Sequence, residues 1–426
     1  MSLGFGLGFP RSVFPTGGPT LNFQFAGSTT LNPLITFTRA STATFFNSAG
    51  VLTSAAVDEA RFDYNPSTLA AQGLLIEEAR TNSIRNNTMV GAVAGTPGTL
   101  PTNWTSQLSG LTQTIVGTGT SNGIAYVDIR LNGTTSNTFF NINVEGQTNI
   151  AATNAQTWTG SVWLSVVGGS TTNITSLAWS LNQYSSVPAY LSTLSGTNRV
   201  STISSTLTRI TDTYTTNNAS IAFVQPVLAM LCGLGVAIDI TLRIGLPQLE
   251  QGAFATSVIP TTTTALTRSE DRASVNTLSP WYNASAGTLF AELQRYALIP
   301  STAFANAWSI SDNTNNERFI AYNTGSVQTM DLAVTDGGVP QAVLVAPNAI
   351  TSNTTIKTAF AYAVNDFAFV RDAGTVQTYT SGTLPTVNRL YIGANSVGGG
   401  QWTSYLRRIT YYPRRLSNAE LQAITA

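Results

Sequence analysis

Apolar and polar residues alternate in short runs over most of the chain. Between residues 86 and 250 such runs fall at 125–131, 138–144, 157–167, 176–181, 203–211, 220–231 and 236–244, separated by Gly, Asn, Ser and Thr. A period of two marks a half-buried strand, and no helix-length amphipathic run interrupts the series. Many short strands with turn residues between them predict an antiparallel sandwich of jelly-roll type. A second series fills residues 288–426, with strands expected at 288–293, 360–364, 367–371, 376–379, 389–393 and 405–411. Asp372-Ala373-Gly374-Thr375 supplies a hairpin loop. Ser417 followed three residues later by Glu420 is a capping box, so a short helix closes the chain. Near the N-terminus, residues 21–25, 35–46, 51–53, 61–64 and 74–77 read as short strands. Together they predict a small unit over 21–85, too small for independent stability and expected to pack on a later domain or another subunit. The fold class is therefore all-β: two antiparallel β-sandwiches, the first of jelly-roll type, preceded by a small N-terminal β unit.

Two stretches break the alternation. Residues 1–20 mix Gly with Leu and Phe, then turn Pro/Gly-rich. Solvated tails seldom carry Phe5, Leu7, Phe9 and Phe14, so this segment is read as an anchoring contact that orders against a neighbour. Residues 251–287 turn to Thr, Pro and charge, and read as an extended linker between the sandwiches. Within it, Arg268, Glu270, Asp271 and Arg272 concentrate both signs and are expected to hold the linker onto a neighbouring domain.

Composition narrows the chemistry. At 426 residues the chain is long enough for two or three domains. Only 9% of residues are charged and the formal net charge is zero; about 25% charged is usual for a soluble domain. No Lys/Arg cluster could follow a phosphate backbone, so nucleic acid is not an expected partner. There is no histidine, which removes the usual general base and the usual zinc ligand. Cys232 is the sole cysteine and reads as buried apolar filler rather than as a catalytic thiol. Asp312, Asp331, Asp336, Asp366 and Asp372 are scattered without calcium-loop spacing, so neither metal nor cofactor is expected. Glu77 and Glu78 are adjacent, but strand neighbours face opposite ways; ion pairing with Arg61 and Arg80 fits them better than paired-carboxylate catalysis. The N-terminus lacks a signal-peptide pattern. The apolar stretch at 221–242 is broken by Gln225, Pro226 and Asp239 and reads as two buried strands joined at Gly233-Leu234-Gly235, not as a membrane span.

The first sandwich offers one candidate site. Its alternation sends Val127, Ile129, Leu131, Phe140, Ile142, Val144, Val162 and Leu164 inward. The other face then carries Tyr126, Asp128, Arg130, Phe139, Asn141, Asn143 and Trp163. Aromatic planes suit the C–H face of a pyranose, while amides and carboxylates bond its hydroxyls, so these seven residues are candidate glycan contacts. The competing reading is that the same face packs against another domain or subunit. In the second sandwich Trp308, Tyr322 and Trp402 are read as packing residues.

Three stretches carry a resemblance. They are QLEQGAFATSVIPTTTTALTRSEDRAS with WYNASAGTLFAEL (residues 248–293), FTRASTAT through GLLIEEARTN (37–82) and LRRITYYPRRLSNAEL (406–421). The chain resembles tailed-phage and prophage virion appendage proteins of the tail-fibre or head-spike type. In these, a jelly-roll carbohydrate-binding-like module precedes a concanavalin A-like, laminin-G-like domain. The resemblance implies a non-enzymatic structural protein on the phage particle surface, assembled in the host cytoplasm and serving host attachment. Its expected partners are capsid or tail proteins, further copies of itself in a homotrimer, and a host-surface glycan. The alternatives are a virion glycan depolymerase and a secreted bacterial lectin.

Overall fold

The computed structural model describes residues 17–296, 299–300, 303–395 and 400–426; the first sixteen positions of the 1–20 segment lie outside it. The described chain forms two antiparallel β-sandwiches.

The first sandwich packs a five-stranded sheet on a six-stranded one. The five run in the order Thr208–Thr215, Thr157–Gly169, Ala237–Gln251, Ile124–Thr134, Leu111–Ser121. The six comprise Tyr190–Leu194, Ile174–Ser185, Ile221–Cys232, Phe139–Asn143 and Thr105–Gln107, with Ile150–Ala151 also on Ile221–Cys232. From Ile124 to Gln251 the chain passes back and forth between the two sheets, with Ile150–Ala151 and Tyr190–Leu194 each staying in the sheet of the strand before it, the jelly-roll pattern. The apolar stretch at 221–242 is two strands, one in each sheet, joined through Gly233 to Gly235. Every residue predicted to face inward does so: Val127, Ile129, Phe140, Ile142, Val144 and Val162 are fully buried, and Leu131 and Leu164 nearly so. Trp179 spans the core from the six-stranded sheet. It fits because the facing strand has Gly160, where a Cβ would stand 2.2 Å from the indole nitrogen.

The second sandwich differs from the expected domain boundaries. Its sheets have eight and seven strands, and residues 288–426 supply only part of each. Leu21–Gln24 pairs with Ser404–Tyr412, and Ala71–Ile76 pairs with the other end of that strand. Thr36–Thr38 and Arg272–Val275 extend the opposite sheet beside Arg389–Ile392. The 21–85 stretch is therefore not a separate unit, and 251–287 is not wholly an extended linker, since Arg272–Val275 within it is a strand of the second sandwich. The single strand read at 35–46 is two, Thr36–Thr38 and Ala43–Phe46, in different sheets. The first sandwich is an insertion: the chain leaves the second sandwich at Asn82 and re-enters it at Leu266. The two crossings pair as a short ribbon, Arg80–Asn82 with Leu266–Arg268. The Thr-Pro segment is fastened too. Thr261 donates to the Asn87 side chain (2.7 Å) and to the Ile84 carbonyl (2.8 Å), and accepts from the Asn87 backbone (3.1 Å).

Two members of the charge run, Arg268 and Asp271, supply a clasp, while Glu270 and Arg272 pair with each other at the surface. Arg39, Arg61 and Arg268 meet Glu77 and Asp271, and all five side chains are buried. Arg61 bridges both acids, at 2.7 Å to Glu77 and in contact with Asp271. Arg39 reaches Asp271 at 3.1 Å and Arg268 reaches Glu77 at 3.1 Å. Burial opposes the charge on Glu77, but Arg268, Arg61 and the Ser257 donors outweigh it and hold its carboxyl far below the usual range. Three of these residues precede the insertion and two follow it, so the network joins the two halves of one domain. Glu78 pairs with Arg80 on the other face.

Candidate functional site

The outer face of the six-stranded sheet carries a groove of about 660 Å³. Alternation builds it. Ile174–Ser185 turns Leu177, Trp179 and Leu181 into the core, which leaves Ser176, Ala178, Ser180, Asn182 and Tyr184 facing out. On Ile221–Cys232 the inward Leu228 and Met230 leave Ala229 and Leu231 outward. Register aligns these in rows. One runs Phe139, Leu231, Ser176; the next runs Gln107, Asn141, Ala229, Ala178. The small side chains of Ala178, Ala229 and Ser180 keep the floor low. Phe139 and Leu231 border one end, and Tyr184, Pro188 and Tyr190 border the other.

The tyrosine end is braced. The Tyr190 hydroxyl lies 2.9 Å from the Thr193 hydroxyl, which donates to Asn182 at 2.6 Å. The Tyr184 hydroxyl donates to Gln225 at 3.0 Å, and Gln225 donates to the Glu145 carbonyl at 2.8 Å. Tyr184 and Tyr190 meet edge-on, with ring centroids 6.0 Å apart. Burial raises the Tyr184 pKa, only partly offset by Asn182 and Gln147, so its hydroxyl stays protonated and donating. Tyr190 nevertheless keeps 59% of its surface exposed, so a braced ring faces solvent. At the other end, the side-chain amides of Gln107 and Asn141 lie on paired positions and have no hydrogen-bond partner among the described residues. An aromatic plane with unused amides can hold a flat polyhydroxylated ligand.

The seven candidate residues do not form one platform. Phe139 and Asn141 line the groove; Asn143 is on the same face, bonded to Thr105 at 3.2 Å. Tyr126, Asp128, Arg130 and Trp163 are on the five-stranded sheet, on the opposite side of the sandwich. There Asp128 accepts two bonds from Arg243, at 2.8 and 2.9 Å, and the same guanidinium lies 3.7 Å over the Tyr126 ring. Arg130 is paired with Asp239 through two bonds of 2.9 Å. Trp163 is buried with Ile124, Leu246 and Val258 and meets Phe46 edge-on at 5.9 Å. It joins the sandwich to the N-terminal strands. The alternation rule sorts side chains into inside and outside correctly, but it carries no information about which sheet a strand joins. Tyr190, Tyr184, Asn182 and Gln107 were missed. The run of small outward residues, Ser176, Ala178 and Ser180, was the available signal.

A second cavity, about 210 Å³, lies where the two sandwiches and the 255–258 segment meet. Asp63 and Glu77 both border it, with Arg209, Tyr296 and Tyr405. Both carboxylates are occupied. Glu77 accepts from Arg61, Tyr296 and twice from Ser257. Asp63 accepts from the Phe46 backbone at 2.6 Å and from the Tyr405 hydroxyl at 2.7 Å. Burial raises the Asp63 pKa to about 6, although the Tyr405 and Phe46 bonds pull it back. The folded chain therefore holds this proton more tightly than the unfolded one. The resulting stabilisation is complete below about pH 3.8 and is lost as pH rises through about 6. An Asp63→Asn variant lacks this dependence, while the contribution of Glu77 is common to both proteins. Urea midpoints taken across this window are expected to show wild type gaining on the variant as pH falls, by an amount on the order of 3 kcal/mol. Parallel curves would contradict it.

Comparison of the sequence with protein-family models and with curated proteins returns no match. Solved structures that resemble the chain include the Ruminococcus gnavus IT-sialidase CBM40, at 15% identity over 34% of this chain and 84% of that one, with a TM-score of 0.30. The heptameric SAP-like pentraxin from Limulus polyphemus is 13% identical over 34% of this chain and 73% of that one, TM-score 0.27. Domains LG4-5 of the mouse laminin alpha1 chain are 10% identical over 62% and 90%, TM-score 0.25.

Proposed function

We propose that this chain is a non-enzymatic display protein of a phage particle, a tail fibre or head spike, whose inserted jelly-roll binds a host-surface glycan. The groove between Phe139 and Tyr190 carries the binding part of this reading: an exposed, braced aromatic at one end and unengaged amides at the other. The virion part rests on the resemblance of residues 37–82, 248–293 and 406–421. A homotrimer is expected on the same ground, and repeated weak sites around it would gain avidity without new contacts. Occupied carboxylates at the seam favour binding over cleavage. Incubation with host capsule or lipopolysaccharide is expected to release no shorter oligosaccharides; release of fragments would favour the depolymerase.

Screening the full chain on a printed glycan array tests the binding itself. Tyr190→Ala and Phe139→Ala are each expected to weaken retention of the best glycan roughly tenfold, the loss of about 1.4 kcal/mol of ring contact. Tyr190 is largely exposed, so its variant should melt with wild type. Retention unaltered in both variants would remove the groove as the site.

A further inference from the structure

We infer that the groove selects uncharged saccharides and discriminates against those bearing carboxylate, sulfate or phosphate. This rests on the reading of the groove as a glycan site. Among the described residues fifteen line it and none is charged: the set is amide, hydroxyl, aromatic and aliphatic. The arginines of this sandwich are committed elsewhere. Arg85 is paired with Glu145, Arg130 with Asp239, Arg199 with Asp212 and Arg243 with Asp128, and Arg209 donates to Ser161 at 2.9 Å.

The donor and acceptor inventory points the same way. An amide offers both a donor and an acceptor, and so does a sugar hydroxyl, so Gln107 and Asn141 can each give and take with a neutral ligand. An ionised group only accepts. It leaves the amide oxygens unmatched and repelled, and it surrenders hydration with no cation to replace it. Burying an unpaired charge costs far more than a neutral hydrogen bond returns. The amide of Asn182 cannot turn to help, because its oxygen is taken by Thr193 and its nitrogen faces Gln225 at 3.5 Å. The methyl groups of Ala178 and Ala229 in the floor suit sugar C–H surface and offer an anion nothing.

The test presents the full chain with matched pairs on one array: lactose and N-acetyllactosamine beside their sialylated and sulfated forms, and neutral glucans beside uronic-acid oligomers. Bound glycans are then titrated at low and high NaCl. The expected result is retention of neutral members, with each acidic counterpart at least tenfold weaker. Affinity should change little with salt, and both Phe139→Ala and Tyr190→Ala should reduce it. Acidic members bound as well as neutral ones, and lost in those two variants, would overturn the selectivity while leaving the site in place. No glycan retained, or retention indifferent to both variants, would overturn the site and the selectivity together.

Discussion

An Arg61→Ala chain is expected to lose about 3–5 kcal/mol of stability, the usual cost of breaking a buried ion pair from one side. Arg61 is fully buried and is shared by Glu77 and Asp271. Burial alone would favour its neutral form, but Asp271 and Glu77 outweigh that and hold the guanidinium more firmly charged than usual. Removing it leaves two buried carboxylates that have lost their shared partner. Arg39 and Arg268 remain, but each contacts only one of them. Arg61→Lys should recover part of the loss, because an ammonium is a point charge and cannot span both acids as a planar fork does. All but one of the chain's twenty cationic side chains are Arg, the exception being Lys357. Urea denaturation of the three proteins provides the measurement. An Arg61→Ala midpoint indistinguishable from wild type would mean that the network contributes nothing to holding the two chain halves together.

Residues 288–426 expressed alone are expected not to fold, whereas residues 83–251 should fold alone. The core of the second sandwich draws Leu21, Phe23, Phe25, Ile35, Phe37, Phe62, Leu74, Ile76, Ala273, Val275, Leu278 and Trp281 from outside 288–426. Burying each large apolar side chain is worth about 1.5–3 kcal/mol, so their joint removal exceeds the roughly 5–15 kcal/mol that a domain has in hand. By contrast, the first sandwich keeps its main core between Ile84 and Leu249 and both its sheets between Thr105 and Gln251. Thermal melts followed by circular dichroism separate the cases. Cooperative unfolding is expected for 83–251. For 288–426 it is expected only when residues 17–82 and 264–287 are also supplied. A cooperative melt from 288–426 by itself would contradict the shared core.

Local alternation determined a good deal from the sequence alone: the all-β class, the inward set of the first sandwich, the helix cap at Ser417 and the glycine turn after Cys232. Each depends on residues a few positions apart. The Ser417 side chain accepts from the Glu420 backbone, and Glu420 accepts in return from the Ser417 backbone at 2.8 Å. Tertiary structure alone decided the pairing of Leu21 with Tyr411, the insertion of one sandwich into the other, and which outward faces share a surface. A strand's period says which side chains leave the core, but not which of two opposed sheets they leave it from. That is why Tyr126 and Phe139, only thirteen positions apart, stand on opposite sides of the same sandwich. Arg272–Val275 is similar. Four residues among charges and threonines show too little alternation to reveal a strand, and its place between Thr36–Thr38 and Arg389–Ile392 is set by partners far away in the chain.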